Sequence, residues 1–116
     1  MTRQDEIRLR HMLDAAREAV GFVGVMTREE LGLDRRTLLS AIKEIEIIGE
    51  AANRVSVATR AEFPQVPWKQ IVGMRNRLIH VYFDIDLRVV WDVVRGDLPP
   101  LIRQLEAILP DSPRLF

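Results

Sequence analysis

The sequence predicts an all-α protein, an antiparallel bundle of four to five helices that forms a single domain over residues 1–116. Apolar residues recur three and four positions apart along most of the chain, which is the spacing of one buried helix face. No segment alternates apolar and polar residues over the length of a strand. A chain of 116 residues has the size of one domain and can bury enough surface for one core.

The first helix is predicted from about Thr2 to Met26, with Thr2 as its N-cap. The segment from Met26 to Asp34 connects this helix to the next. Within it, Thr27 and Glu30 have the spacing of a capping box, so we expect a short helical turn there. The apolar positions of the first helix are Ile7, Leu9, Leu13, Ala16, Val20 and Val23.

The second helix is predicted to begin after Asp34, a good N-cap residue, and to continue to about Glu62. Gly49 lies inside its apolar stripe. Because an interior glycine costs a helix about 1 kcal/mol, we expect Gly49 to allow the close approach of another helix. The stripe consists of Leu38, Ile42, Ile45, Ile48, Ala52 and Val55.

Pro67 is predicted to open a third helix, which spans Trp68 to about Val81. Asp86 is predicted to cap a fourth helix, whose apolar stripe continues across Pro99 and Pro100. Proline removes a backbone donor and clashes with the preceding turn, so we expect this last helix to be kinked or broken near residue 96. Its apolar positions are Leu87, Val90, Trp91, Val94, Leu98, Leu101, Leu105 and Ile108.

Composition excludes several kinds of site. The sequence has no cysteine, which excludes a disulfide scaffold, a thiolate zinc site and a cysteine nucleophile. It has only two histidines, so a multi-histidine metal site within one chain is not expected, and no cofactor is predicted. No signal peptide or membrane-spanning stretch is predicted, which makes the cytoplasm the expected compartment. The 17 basic and 17 acidic residues balance, which argues against broad charge-driven nucleic-acid binding but not against a local basic site.

One stretch of the chain is locally basic. Between Phe63 and Phe83 it contains Lys69, Arg75, Arg77 and His80, and it contains no carboxylate. In a chain with zero net charge, such a stretch favours an anionic ligand such as a phosphodiester. Lys69 and Arg77 are candidate RNA-binding residues, although both also fit solvated surface charges.

The residue types in this stretch suit RNA cleavage without a metal ion. Histidine titrates near neutral pH and can act as a general acid or base for the 2′-hydroxyl, and arginine presents forked donors to phosphate oxygens. Asn76 and His80 are four residues apart, so a helix places them on one face. Arg75 precedes His80 by five residues and needs its long side chain, a distortion of the helix end or a partner subunit to reach it. One histidine cannot easily serve as both acid and base, which predicts a symmetric homodimer.

Other polar residues have structural explanations. His11, in the first helix, is expected to be a surface histidine. Glu50 and Arg54 have the spacing of an ion pair within a helix. Asp84 and Asp86 fit turn and cap positions, and two carboxylates alone are too few ligands for a convincing magnesium site.

The stretch from Gly73 to Tyr82, GMRNRLIHVY, resembles the signature of the HEPN superfamily, specifically of the HepT toxins. That signature is arginine, a polar residue, several further residues and then H-x-Y. Arg75, Asn76, His80 and Tyr82 match it without a gap. The flanks are similar as well, in the segments Pro67-Trp68, Asp84-Ile-Asp86, Val90-Trp91, Leu98-Pro99 and Ile48-Gly-Glu-Ala-Ala-Asn53.

The resemblance implies an all-α homodimer with a composite cleft and a metal-independent endoribonuclease activity. Arg75 and His80 would be the catalytic pair, and Asn76 would assist them. The protein would be the toxin of a bacterial type VII toxin–antitoxin system. Its antitoxin would be a minimal nucleotidyltransferase that transfers AMP from ATP to Tyr82, and the anionic adenylate would block the cleft beside His80.

Two other functions remain open at this level. The protein can be a non-catalytic helical subunit that binds a nucleotidyltransferase, either as an antitoxin or to present a substrate. It can also be a plain helical dimerisation domain whose Arg75 and His80 are structural. The sequence does not identify the RNA target, the position of cleavage or the stoichiometry of a complex.

Overall fold

The structure is a computed structural model that describes residues 1–78 and 84–109. Its helices are α1 (Arg3–Val23), α2 (Arg28–Leu33), α3 (Arg35–Arg54), α4 (Val57–Glu62), α5 (Trp68–Val72), α6 (Met74–Leu78), α7 (Leu87–Asp92) and α8 (Leu98–Ile108), with a π-helical turn (Val93–Asp97) joining α7 to α8. The predicted all-α class is confirmed, since these two ranges contain no β-strand. The helices are more numerous and shorter than predicted, because three predicted helices end early or are divided.

The long helices α1 and α3 pack side by side and form the centre of the core. They run antiparallel, because Arg8 near the start of α1 donates a hydrogen bond to the carbonyl of Arg54 at the end of α3 (3.1 Å). Helix α8 packs against α1, where Arg17 pairs with Glu106 at 2.6 Å. The residues that are almost fully buried include Leu9, Met12, Leu13, Leu31, Ile45, Ile48, Ile71, Leu78, Leu98 and Leu105.

The predicted N-caps are confirmed. The side chains of Thr2, Asp34 and Asp86 accept from backbone N–H groups three residues later in α1, α3 and α7. Thr27 and Glu30 form the predicted capping box at the start of α2. Helix α1 ends at Val23, three residues before the predicted Met26, because Gly24 takes a positive φ of 54° and terminates it.

The second predicted helix does not reach Glu62. It ends at Arg54, and Ser56 caps the separate helix α4. The reason is Asp5, whose buried carboxylate accepts from the Ser56 backbone N–H (3.1 Å), the Ser56 hydroxyl (2.6 Å) and the Thr59 hydroxyl (2.7 Å). These bonds hold the chain out of the helical path at Val55 and Ser56. The hydrogen bonds from Ser56 and Thr59 lower the pKa of Asp5, against the opposing effect of burial.

The predicted interruption of the last helix is confirmed and takes the form of the π-helical turn. The Leu98 backbone N–H donates to the carbonyl of Val93, five residues back. Pro99 and Pro100 follow, at the first turn of α8. Because neither proline can donate to the carbonyl four residues before it, the preceding turn widens instead of continuing as an α-helix.

No helix in the described ranges combines the length and apolar character that crossing a membrane requires.

Candidate active site

Helix α6 carries the first part of the basic motif. Met74 and Leu78, four residues apart, are 2% and 0% exposed and anchor the helix in the core. Arg75, Asn76 and Arg77 lie between them and are exposed. His80 and Tyr82 lie outside the described residues, so the expectation that Asn76 and His80 share a helix face stays a prediction.

The predicted third helix, Trp68 to Val81, is divided at Gly73 into α5 and α6. Gly73 donates its N–H to the Lys69 carbonyl (3.1 Å), and its own carbonyl accepts from Asn76, only three residues later (3.1 Å). The spacing of backbone hydrogen bonds therefore changes from four residues to three at Gly73, and α6 begins after this tight turn. Residues 79–81 of the predicted helix lie outside the described residues.

Gly49 sets the distance between α3 and α5, as predicted. A Cβ atom at this position would lie 3.3 Å from the carbonyl oxygen of Ile71 and 3.6 Å from that of Val72. The absence of a side chain therefore lets the end of α5 lie directly on α3. At the start of α5, the Trp68 indole N–H donates to the Phe63 carbonyl at 3.0 Å. These contacts fix where α6 begins.

Arg75 faces α3. Its Nε lies 3.5 Å from Oε1 of Glu46, one helical turn before Gly49. The side chains are 55% and 29% exposed, so the pair is largely solvated. A solvated ion pair contributes little to stability, at most about 1 kcal/mol, and a phosphate can replace the carboxylate as the partner of the guanidinium. The structure thus presents Arg75 at the surface beside α3 and leaves it able to bind an anion.

The other predicted RNA-binding residues lie on different surfaces. Arg77 Nη1 is 3.4 Å from Oδ2 of Asp97 in the π-helical turn. Lys69 lines a separate surface cavity of about 780 Å³ together with Trp68. Arg75 does not line that cavity, so the structure does not gather Lys69, Arg75 and Arg77 into one cluster.

The two ends of the segment that contains His80 and Tyr82 are held together. The Asp86 backbone N–H donates to the Leu78 carbonyl at 3.0 Å. Asp86 also caps α7 by accepting from the Val89 N–H at 3.2 Å, which confirms its predicted cap role, and Asp84 is exposed. In the part of the chain that the structure describes, no group of three or more histidines and carboxylates is placed to hold a metal ion.

A groove of about 650 Å³ runs along α1 and α3, and Arg75 is one of the residues that line it. His11 lines it and is partly buried, which differs from the plain surface histidine that the sequence suggested. The sequence could have shown that these residues share a surface. Gln4, Ile7, Arg8 and His11 are separated by three, one and three residues, which places them on one face of α1. Sequence reasoning missed the groove because the polar face of a helix does not indicate which second helix lies beside it.

Comparison with known proteins gives a consistent family assignment. The sequence profile described as "Ribonuclease HepT-like" matches residues 12–108. Two proteins of Methanocaldococcus jannaschii, whose names mark an inferred RNase activity, are 34% and 35% identical to this chain, over 86% and 84% of it and 83% and 89% of their own lengths. "Probable ribonuclease HepT" of Thermococcus cleftensis is 34% identical over 83% of this chain and 91% of its own. No solved structure matches significantly.

Proposed function

The chain belongs to the HepT-like ribonuclease family, and on this basis we propose that it is a metal-independent endoribonuclease and the toxin of a type VII toxin–antitoxin system. The observation that carries the proposal is the family match over residues 12–108, which includes all four motif residues, Arg75, Asn76, His80 and Tyr82. The solvated position of Arg75 on α6 supports it, because a phosphate-binding arginine must be accessible to the substrate.

The proposed reaction uses the RNA's own 2′-hydroxyl as the nucleophile. His80 takes the proton of this hydroxyl, the 2′-oxygen attacks the adjacent phosphorus, and the bond from phosphorus to the 5′-oxygen breaks. The leaving 5′-oxygen takes up a proton, so the products carry a 2′,3′-cyclic phosphate and a 5′-hydroxyl. Arg75 stabilises the extra negative charge of the pentavalent phosphorus, and Asn76 orients the imidazole or the phosphate.

The need for two proton transfers supports a symmetric homodimer. His80 of one chain would remove the proton from the 2′-hydroxyl, and His80 of a second chain would protonate the 5′-oxygen. A twofold axis beside the motif supplies two such groups to one composite cleft. Lys69 and Arg77, which the structure places on other surfaces, would then contact RNA away from the cleaved bond.

Control of the toxin would act through Tyr82. A cognate minimal nucleotidyltransferase would transfer AMP from ATP to its hydroxyl, with release of pyrophosphate, only two residues after His80 in the sequence. The added phosphate is negatively charged and the nucleoside is bulky, so the modification opposes the binding of an RNA phosphate both electrostatically and sterically.

The experiment is cleavage of total RNA and transfer RNA by purified protein in excess EDTA, after its intact mass has shown that Tyr82 carries no AMP. Wild-type protein should produce fragments with 2′,3′-cyclic phosphate ends, and His80→Ala should lose this activity. Arg75→Ala should also lose it, whereas Arg103→Ala, which removes another exposed arginine on α8, should not.

A failure of unmodified wild-type protein to cut RNA would contradict the proposal. A stable complex with a nucleotidyltransferase under the same conditions would then favour the non-catalytic binding subunit. Full growth arrest by His80→Ala in cells would contradict the assigned site, even if the protein is a toxin.

A further inference from the structure

Apart from Arg75, the residues that line the groove between α1 and α3 have no part in the reaction described above. The groove follows one face of each helix, its α3 lining extends from Lys43 to Arg54, and it includes Arg75 of α6, which contacts Glu46. Its volume of about 650 Å³ lies within the range of about 300–1,000 Å³ that is common for ligand sites in proteins.

The groove carries an excess of positive charge in a chain whose net charge is zero. Four arginine and lysine residues line it, against two glutamates, Glu46 and Glu50. Both glutamates are paired with arginines of the same groove, at 3.5 Å to Arg75 and 3.1 Å to Arg54. Lys43 is exposed and forms no ion pair with any residue of the described ranges.

The groove also offers apolar surface between its charges. Ile7 of α1, near the Arg54 end of the groove, is 37% exposed, and Ile47, further along α3, is partly buried in the lining. Alternating cations and apolar surface suit a single strand of nucleic acid, which presents phosphates on one side and base faces on the other.

We infer that the α1–α3 groove binds single-stranded RNA on one side of the cleaved bond, with Lys43 and Arg8 contacting backbone phosphates and Ile7 and Ile47 contacting different bases. The inference rests on the proposed ribonuclease function. It adds the path that the RNA strand takes across the protein surface away from the cleaved bond. The strand would pass along α3 from the phosphate held by Arg75, with Lys43 one helical turn from Glu46, to Arg8 at the Arg54 end of the groove.

The test is the affinity of a fluorescein-labelled, fully 2′-O-methylated RNA oligonucleotide, measured by fluorescence anisotropy. Such a strand cannot be cleaved by 2′-hydroxyl attack, so binding is measured independently of activity. Each phosphate contact with a single strand contributes about 0.7 to the slope of log K against log salt. Lys43→Gln should therefore reduce that slope by about 0.7 and weaken binding about fivefold at 0.1 M salt, and Lys43→Glu should weaken it further.

Arg103→Gln is the matched control, because it removes one exposed cation from α8, outside the groove, and should leave the slope and affinity unchanged. Equal affinities of Lys43→Gln and Arg103→Gln, with cleavage retained by the wild type, would overturn the groove assignment and leave the proposed function standing. If wild-type protein neither binds nor cleaves RNA, the proposed function fails and the inference fails with it. If Lys43→Glu changes the self-association measured by sedimentation without changing RNA affinity, the groove faces a second copy of the chain and the inference is wrong.

Discussion

Removal of the Asp5 carboxylate should cost more stability than removal of any exposed carboxylate on the same helices. Asp5 is 2% exposed and accepts three hydrogen bonds from Ser56 and Thr59, which join the start of α1 to α4. Hydrogen bonds to charged groups contribute about 1.5–3 kcal/mol when the abandoned partner is buried, as Thr59 is, and less when it can turn to water, as Ser56 can. We therefore expect Asp5→Ala to lower the free energy of unfolding by about 3–4 kcal/mol.

A loss of this size is measurable and specific. For a domain of this length it should lower Tm by roughly 10–20 °C, and urea unfolding followed by circular dichroism should show a lower midpoint with an unchanged m-value. The control is Glu50→Ala, which removes an exposed carboxylate paired with Arg54 near the same end of α3 and should cost less than about 0.5 kcal/mol. A loss below about 1 kcal/mol for Asp5→Ala would refute the argument that these bonds divide α3 from α4.

The Asp5 carboxylate should also make the free energy of unfolding depend on pH. Hydrogen bonds from Ser56 and Thr59 lower the pKa of Asp5 in the folded protein. Its ionised form therefore stabilises the fold fully above the pKa of an unfolded aspartate, about 3.9, and this contribution is lost as the pH falls through the lower folded value. The stability difference between wild type and Asp5→Asn should be constant near neutral pH and should shrink below about pH 4. If the stability difference between wild type and Asp5→Asn grew on acidification, the pKa of Asp5 would not be lowered in the folded protein and the prediction would be wrong.

Three further predictions follow from the packing and the motif. Gly21→Ala, in an open part of α1, should raise stability by up to about 1 kcal/mol in urea unfolding, whereas Gly49→Val, whose Cβ would crowd the Ile71 carbonyl, should lower it by about 1–3 kcal/mol. Arg75→Ala should reduce RNA cleavage by about 10²–10³-fold with little change in Tm, because the side chain is 55% exposed; a large fall in Tm would indicate a structural role. Tyr82→Phe should leave RNA cleavage intact and abolish AMP transfer by the nucleotidyltransferase, as measured by intact mass, and continued modification would exclude Tyr82 as the acceptor.

The sequence by itself determined the all-α class, the N-caps at Thr2, Asp34 and Asp86 and the interruption before Pro99, because each depends on interactions within about one helical turn. Tertiary contacts decided what local patterns could not. The end of α3 at Arg54 depends on Asp5, which is 51 residues away in sequence from Ser56. The apolar pattern around the end of α3 therefore contains no indication of the contact with Asp5.

The same division holds for the candidate site. Arg75, Asn76, His80 and Tyr82 could be selected from their residue types and spacing, which are local properties of the chain. The pairing of Arg75 with Glu46 and the groove it closes exist only because the lack of a side chain at Gly49 brings α5 against α3 and because α1 lies antiparallel to α3. The proposed chemistry therefore rests on residues of one segment, whereas the surface that would receive a substrate is formed by three segments that only the folded chain brings together.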